Sequence, residues 1–265
     1  MTDEAKGNQV RHSATALRQF SFCERAFFYQ RILGLPEKPG PALAVGIAYH
    51  AALERLVRDP DAPLDEIVPA ALLAVKAEKG WCDPGLPEGD LLAEISTNLV
   101  RLRPIVKILP PLVRDGVPLV EAWCERRTGK VDLVSSRTPT CEDGQIISTE
   151  EGASIIDWKT TAKPKGGGKW KKDHSLQLAL YCLEFGCTSG ATVEIPRDSR
   201  LDIYVDVVRF DQHELARWEK YFVAQFGAMA SRGRDEAEYK LAERGHPLCS
   251  PAYCAYWDLC PGGGK

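Results

Sequence analysis

No apolar run in the 265-residue chain approaches the roughly 18 residues that a membrane-crossing helix requires. The opening stretch, MTDEAKGNQVRHSA, carries acidic residues where a secretory leader would have an apolar core. A cytoplasmic protein with no membrane partner is the expectation. Strong charge of either sign is also missing: the formal net charge is −3, which argues against a protein that coats nucleic acid indiscriminately. A local basic groove stays open, because binding depends on where charge sits rather than on its sum. A disulfide framework fits poorly on two grounds. The nine cysteines are odd in number, and a chain of 265 residues buries enough core to need no such staples. Metal ligation or simple burial is what remains for them. There is no internal repeat, no helicase motif and no phosphate-binding loop, since GGGKW lacks both the Ser or Thr after its lysine and the earlier glycine.

What is present divides by periodicity. Residues 13–33, 45–58, 64–79 and 89–113 place apolar side chains at helical spacing, with Ser13 as an N-cap and with LPEKPGPA and GWCDPGLPEG as breaks. PLVEAWCER, KVDLVSS and ASIIDW are short and partly alternating, so residues 119–126, 129–135 and 153–158 are predicted to be adjacent strands. A Gly/Lys-rich loop, TAKPKGGGKWKKD, leads to a helix, HSLQLALYCLEFG. RLDIYVDVVRF is a further strand, and a helix runs from Asp211 to about Ser231. The fold expected is α/β: a central mixed sheet flanked by helices, in one domain over residues 1–265. Within it we distinguish a mainly helical segment at 13–115, a core at 116–232 and a cysteine-bearing tail at 245–261.

The stretch IIDWKTT puts Asp157 and Lys159 two positions apart, so they share one face of a strand while Trp158 takes the other. If the predicted strands pair, Asp132 meets them at the sheet edge. Glu121 is open between a supporting acid for that group and a plain salt-bridge partner.

The order of GIAYHAALERL, GKVDLV, IIDWKTT and QLALY resembles the PD-(D/E)XK nuclease superfamily, in its RecB-like branch, over nearly the whole chain. The resemblance implies a restriction-endonuclease-like core and metal-dependent hydrolysis of DNA phosphodiesters, most simply as an exonuclease on single-stranded ends. It implies that His50, Asp132, Asp157 and the backbone carbonyl of Trp158 bind a divalent cation. Magnesium prefers oxygen ligands, and an imidazole makes manganese an equal candidate. Lys159 is then the residue that handles the attacking water, and Gln177 and Tyr181, at i and i+4 on one helix, orient Lys159 and the DNA backbone. Lys163, Lys165, Lys169, Lys171 and Lys172 would form a basic flap on DNA phosphates; a solvated loop without a partner is the alternative.

Cys249, Cys254 and Cys260 crowd into twelve residues, and soft thiolates gathered this way suit zinc or an iron-sulfur cluster. Cluster-bearing relatives of the RecB-like branch, the AddB nuclease domain and the CRISPR-associated exonuclease of spacer acquisition, add one cysteine far upstream. Cys23 stands at that place, so the resemblance implies a [4Fe-4S] cluster joining the two ends of the chain. The four residues between Cys249 and Cys254 depart from the usual two, which leaves zinc open with His246 in reserve. The partners implied are DNA and, in some such systems, a CRISPR integrase or a recombination protein. A non-catalytic DNA-binding or redox-sensing module with the same fold is the competing reading.

Overall fold

In the computed structural model the described residues are 13–36, 41–77, 84–124, 129–161, 171–242, 249–251 and 254–261. The chain forms two compact units: Met1–Lys38, Arg127–Gly129 and Glu219–Lys265 make one, and Pro39–Arg126 with Lys130–Trp218 make the other.

Helices α1 (Ala14–Phe22) and α2 (Glu24–Phe27) come first in the chain and belong to the smaller unit. The larger unit holds α3 (Pro41–Arg58), α4 (Leu64–Lys76), α5 (Glu88–Ile108), β1 (Val113–Arg114), β2 (Val117–Pro118), β3 (Val120–Trp123), β4 (Lys130–Glu142), β5 (Gln145–Thr161), α6 (Lys171–Phe185), β6 (Ser189–Pro196) and β7 (Tyr204–Arg209). Five strands form one sheet in the order β3-β4-β5-β6-β7, with β5 and β6 parallel and every other pair antiparallel. The sheet is therefore mixed and flanked by helices, as expected for α/β.

Alternation decides what each face buries. Leu133, Ile156, Trp158, Ala191, Val193, Ile195 and Val205 join one apolar core with Val45, Ala48, Ala52 and Leu56 of α3 and with the buried stripes of α4 and α5. Burial of this kind, at roughly 25 cal/mol per Å² of apolar surface, is the main force that holds α3 beside the sheet. Asn98 fixes the rotation of α3: fully buried on α5, it donates to Tyr49 Oη at 2.8 Å and to the carbonyl of Pro196 at 3.0 Å. Helix α6 packs on β5 and β6. Gly190 permits that approach, because a Cβ there would stand 3.0 Å from Leu178 Cδ2. Gly190→Ala is accordingly expected to force α6 outward and to cost about 1–3 kcal/mol in denaturant unfolding; an unchanged midpoint would show that α6 is seated loosely.

Two elements differ from expectation in instructive ways. Strands β4 and β5 are far longer than predicted because they close a hairpin through Asp143 (φ 47°) and Gly144 (φ 77°), the paired left-handed residues of a type I′ turn. The Asp-Gly signal is present in the sequence, embedded in a polar stretch that hides the strands. Strand β6, SGATVEIP, is absent from the expected elements. Every one of its residues is buried, so it shows no alternation.

The smaller unit contains α1, α2, a π-helical turn (Phe28–Ile32), most of α7 (Gln212–Ser231) and the tail. The single helix expected over residues 13–33 breaks at Cys23, whose backbone is extended and whose Sγ accepts from the N–H of Ala26 at 3.4 Å. Sulfur thus caps α2. The chain ends are stitched together around Tyr29, which donates to Glu236 at 2.6 Å and to the Leu259 carbonyl at 3.2 Å. Arg25 pairs with Glu236 and donates to the Tyr239 carbonyl at 3.2 Å, while Tyr256 donates to the Leu35 carbonyl at 3.2 Å. Phe27, Phe28 and Tyr239 pack as rings within this seam.

Candidate active site

The ladder between β4 and β5 runs to Leu133 opposite Ile156 and then opens. In the gap Asp132 takes over from the backbone, its Oδ2 accepting the N–H of Trp158 at 2.8 Å. Helix α3 brings His50 to the same place, with Nδ1 3.3 Å from Asp132 Oδ1 and 3.9 Å from Glu121 Oε1. Ligand atoms of His50, Glu121 and Asp132 all lie within 4.8 Å of one another. Glu121 is held there by an uncommon backbone: its φ of 49° is left-handed, which turns its side chain out of regular strand order on β3. Left open by sequence reasoning, Glu121 belongs to the cluster. The signal that could have decided it was its position opposite Asp132, which only strand pairing reveals.

The second half of the site is on β5. Asp157 is 3% exposed, and its Oδ1 accepts from Lys159 Nζ at 2.9 Å and from Gln177 Nε2 at 3.0 Å. Its Oδ2 also lies 2.9 Å from the ammonium but is buried without a hydrogen bond among the described residues. The ammonium is thus close to both oxygens and aligned with one. Gln177 is 3.5 Å from Tyr181 Oη on the same face of α6. The bond seen for Gln177 is therefore to the carboxylate of Asp157, where the sequence had it orienting Lys159. The site also forms at the ends of the inner strands β4 and β5, flanked by β3 and β6, and not at a sheet edge.

The charges are balanced by burial against proximity. Burial pushes the Asp132 carboxyl up, yet the His50 imidazole, Lys159 and the Trp158 N–H together hold it below the usual carboxylate range. For Asp157 burial prevails over Lys159, and its carboxyl is raised. His50 is lowered by burial but raised further by Asp132 and Glu121, to about 10. The same carboxylates that favour a proton on His50 would favour a metal cation, which His50 would ligate as the neutral imidazole.

The residues fit such an ion. One imidazole nitrogen and two carboxylates, those of His50, Glu121 and Asp132, converge as a donor set for magnesium or manganese; Asp157, which has a buried oxygen without a hydrogen bond among the described residues, lies outside that group. Trp158 touches the group through its N–H, and its indole lies in the core, 2% exposed.

Among the predicted basic residues, Lys163, Lys165 and Lys169 lie outside the described residues. Lys171 and Lys172 lie in the first turn of α6 and not in a loop, because the helix begins earlier than its apolar pattern indicates. Of the cysteines set aside as incidental, Cys182 and Cys187 are buried together at the end of α6 and interact sulfur to sulfur. Cys82 lies outside the described residues.

The four cysteines singled out lie near enough to act on one another electrostatically. Burial first, then the neighbouring Cys23 and Cys260, push the Cys249 thiol up; Cys254 is raised by burial and by Cys23, Cys260 and Cys249. Among the described residues no three of these sulfurs come within 4.8 Å of one another. Sulfurs sharing one tetrahedral zinc with bonds of about 2.3 Å would be roughly 3.8 Å apart. His246 lies outside the described residues.

A mixed sheet whose opened strand ends hold two aspartates, a lysine on the same strand as one of them, and a histidine brought by a helix is an α/β fold with a group of side chains able to hold a divalent cation. The chain belongs to the PD-(D/E)XK nuclease superfamily, whose family model matches residues 11–261. No curated protein matches it. Among solved structures, it is similar to a Eubacterium rectale protein described as a candidate exonuclease, at 10% identity and a TM-score of 0.50, over 94% of this chain and 92% of that one. It is also similar to the protein titled SSO0001, at 17% identity over 82% and 86% of the two chains, with a TM-score of 0.31. The first likeness speaks for the fold alone, and the second is too loose to carry an argument. No helix among the described residues is long and apolar enough to cross a membrane.

Proposed function

We propose that this protein is a divalent-cation-dependent DNA exonuclease of the cytoplasm, acting on single-stranded ends in CRISPR adaptation, phage DNA processing or DNA repair. The observation that carries the reading is the convergence of His50, Glu121 and Asp132 beside the Asp157–Lys159 pair, in a chain of a nuclease superfamily. His50, Asp132, Asp157 and the Trp158 carbonyl would hold the cation, and we add Glu121 to that set. When bound, such an ion lowers the pKa of a coordinated water and polarises the phosphate.

The rest is work for the chain's own groups. Gln177 fixes the carboxylate of Asp157 from α6, and Tyr181 backs Gln177. Lys159, whose side chain is 34% exposed against 4% for Asp157, reaches from the buried acid toward solvent. There its ammonium holds the attacking water and meets the negative charge that develops on phosphate. End-directed cleavage is part of the proposal; the Eubacterium rectale protein of similar fold is itself described as a candidate exonuclease. Purified protein should release mononucleotides from end-labelled single strands with magnesium or manganese, and stop in chelator. No cleavage with either ion would overturn the reading, and internal fragments alone would overturn its exonuclease part.

The second component we propose is a [4Fe-4S] cluster on Cys23, Cys249, Cys254 and Cys260, supported by the electrostatic proximity of these thiols. An integrase or recombination protein is the partner class that goes with it. For the lysines from 163 to 172 we propose that they touch DNA phosphates. Charge reversal at Lys169, Lys171 and Lys172 should weaken binding of all single strands alike and flatten the log-log salt dependence by about 0.7 for each phosphate that is no longer neutralised. An unchanged slope would remove this stretch from the DNA path.

A further inference from the structure

Trp123, the last residue of β3, is 57% exposed, whereas every other described phenylalanine, tyrosine or tryptophan is at least half-buried. Tryptophan is among the more buried residue types on average, and this one contributes little to the core it borders. Strand β3 is the outer strand of the sheet, and Trp123 pairs there with Lys130 of β4. The Lys130 ammonium lies 5.3 Å from the centre of the indole ring, and the lysine is itself exposed.

This pair borders the candidate active site, within the larger unit. The ladder of β3 and β4 runs through Val120 with Leu133, Ala122 with Val131 and Trp123 with Lys130, so Trp123 and Lys130 each lie two residues from a member of the cation-binding group, Glu121 and Asp132. Side chains alternate along a strand, so Lys130 projects to the same side as Asp132, and its ammonium over the indole puts Trp123 there too. Two residues of antiparallel strand span about 7 Å, the length of about two stacked nucleotides at about 3.4 Å each. Strands β4 and β5 have parted by this point, past Leu133 and Ile156, and Lys159 lies on the β5 side of the opening. One wall of the gap therefore carries an aromatic ring with a cation, and the other carries a second cation.

These features restrict the ligand. Cations on both sides of the opening favour a chain of negative charges laid across it. An exposed indole favours a flat unsaturated group at the same level. More than half of Trp123 stays exposed with Lys130 in place, so ring surface is left for such a group. Nucleic acid supplies phosphates and flat bases at a short repeat. The base has to be unpaired, because in a duplex both of its faces are covered by its neighbours.

We propose that Trp123 stacks on an unpaired base of a bound strand while Lys130 neutralises a neighbouring phosphate, which sets the strand in register with the cation site. The assignment deepens the nuclease reading and rests on it for the identity of the ligand. It makes Trp123 a substrate-binding residue that separates single strands from duplex. Glu121 and Asp132 repel a phosphate until a cation lies between them, so binding has to be followed with a metal ion as well as without one.

The test uses the full chain, prepared anaerobically. Binding of a short end-labelled deoxythymidine strand, of the same strand without its bases and of a duplex of equal length is followed by fluorescence anisotropy. Measurements are made in chelator, and again with magnesium in a Lys159→Ala background so that nothing is cleaved. We expect Trp123→Ala to weaken binding of the intact strand about five- to a hundredfold, the range for one base on an aromatic platform, and Trp123→Phe to keep most of the affinity. The abasic strand and the duplex should bind the Trp123 variants and wild type alike. Lys130→Gln should flatten the log-log salt dependence of strand binding by about 0.7, the share of one phosphate. Trp123→Leu repeats the comparison if Trp123→Ala unfolds. Unchanged strand affinity without the aromatic ring, an equal loss on the abasic strand or on the duplex, or no binding of the intact strand in either condition would overturn the proposal, and an unchanged slope in Lys130→Gln would overturn its phosphate contact. Base-dependent binding at Trp123 by a wild type that cleaves nothing with magnesium or manganese would overturn the nuclease reading alone.

Discussion

Asp157→Asn should reduce cleavage at least about a hundredfold while leaving the fold intact, as far as removal of a single catalytic group typically reaches. The carboxylate is 3% exposed, and one of its oxygens is buried without a hydrogen bond among the described residues. A buried charge in that state is costly to folding and is kept for what it does. The amide is neutral and nearly isosteric, it retains an oxygen for Gln177, and it leaves Lys159 a route to solvent. Thermal stability in chelator should therefore equal or exceed that of wild type, against a loss of nearly all activity. Near-wild-type rates would remove Asp157 from the site. A large fall in melting temperature with proportionate loss of activity would make it a structural residue.

Cys23→Ser should bleach the protein and destabilise it together. The substitution separates the observed capping role of Cys23 from its proposed role as a cluster ligand. Its sulfur caps α2 through the N–H of Ala26, and serine, a favoured N-cap, can perform that task as well. What serine lacks is the soft thiolate that an iron-sulfur core requires. Because Cys23 precedes α2 while Cys249, Cys254 and Cys260 lie in the tail, a shared cluster links segments more than two hundred residues apart in sequence. Its loss should cost several kcal/mol of stability, on the order seen for structural metal sites. Anaerobic wild type should be brown with iron and acid-labile sulfide. Stoichiometric zinc without iron would overturn the cluster, and a fully coloured Cys23→Ser would overturn the fourth ligand.

The legibility of this chain varies with how local each feature is. Asp157 and Lys159 sit two apart on a strand of β-branched residues, so their common face follows from the pleat alone. The i, i+4 relation of Gln177 and Tyr181 follows from the helical repeat in the same way. Glu121 was undecidable because its place depends on a left-handed residue opposite Asp132, which no pattern along the chain announces. The break at Cys23 was hidden because apolar residues keep helical spacing on both sides of it. Strand β6 was hidden by being buried on both faces, and the long β4–β5 hairpin by a polar, solvent-facing strand pair around Asp143 and Gly144.

The order of acidic strand, D-x-K strand and Q-x-x-x-Y helix, together with the supply of clustered thiols, was determined by the sequence itself, because residue type and short-range spacing are all that these features require. Only the tertiary structure decided that β4 and β5 part just past Leu133 and Ile156, that the Asp132 carboxylate fills the gap, and that Asn98 and Tyr49 fix α3 so that His50 faces it. Those outcomes rest on strand register and on packing between residues tens of positions apart. Such packing follows from burying one common core, and no window of the sequence contains it.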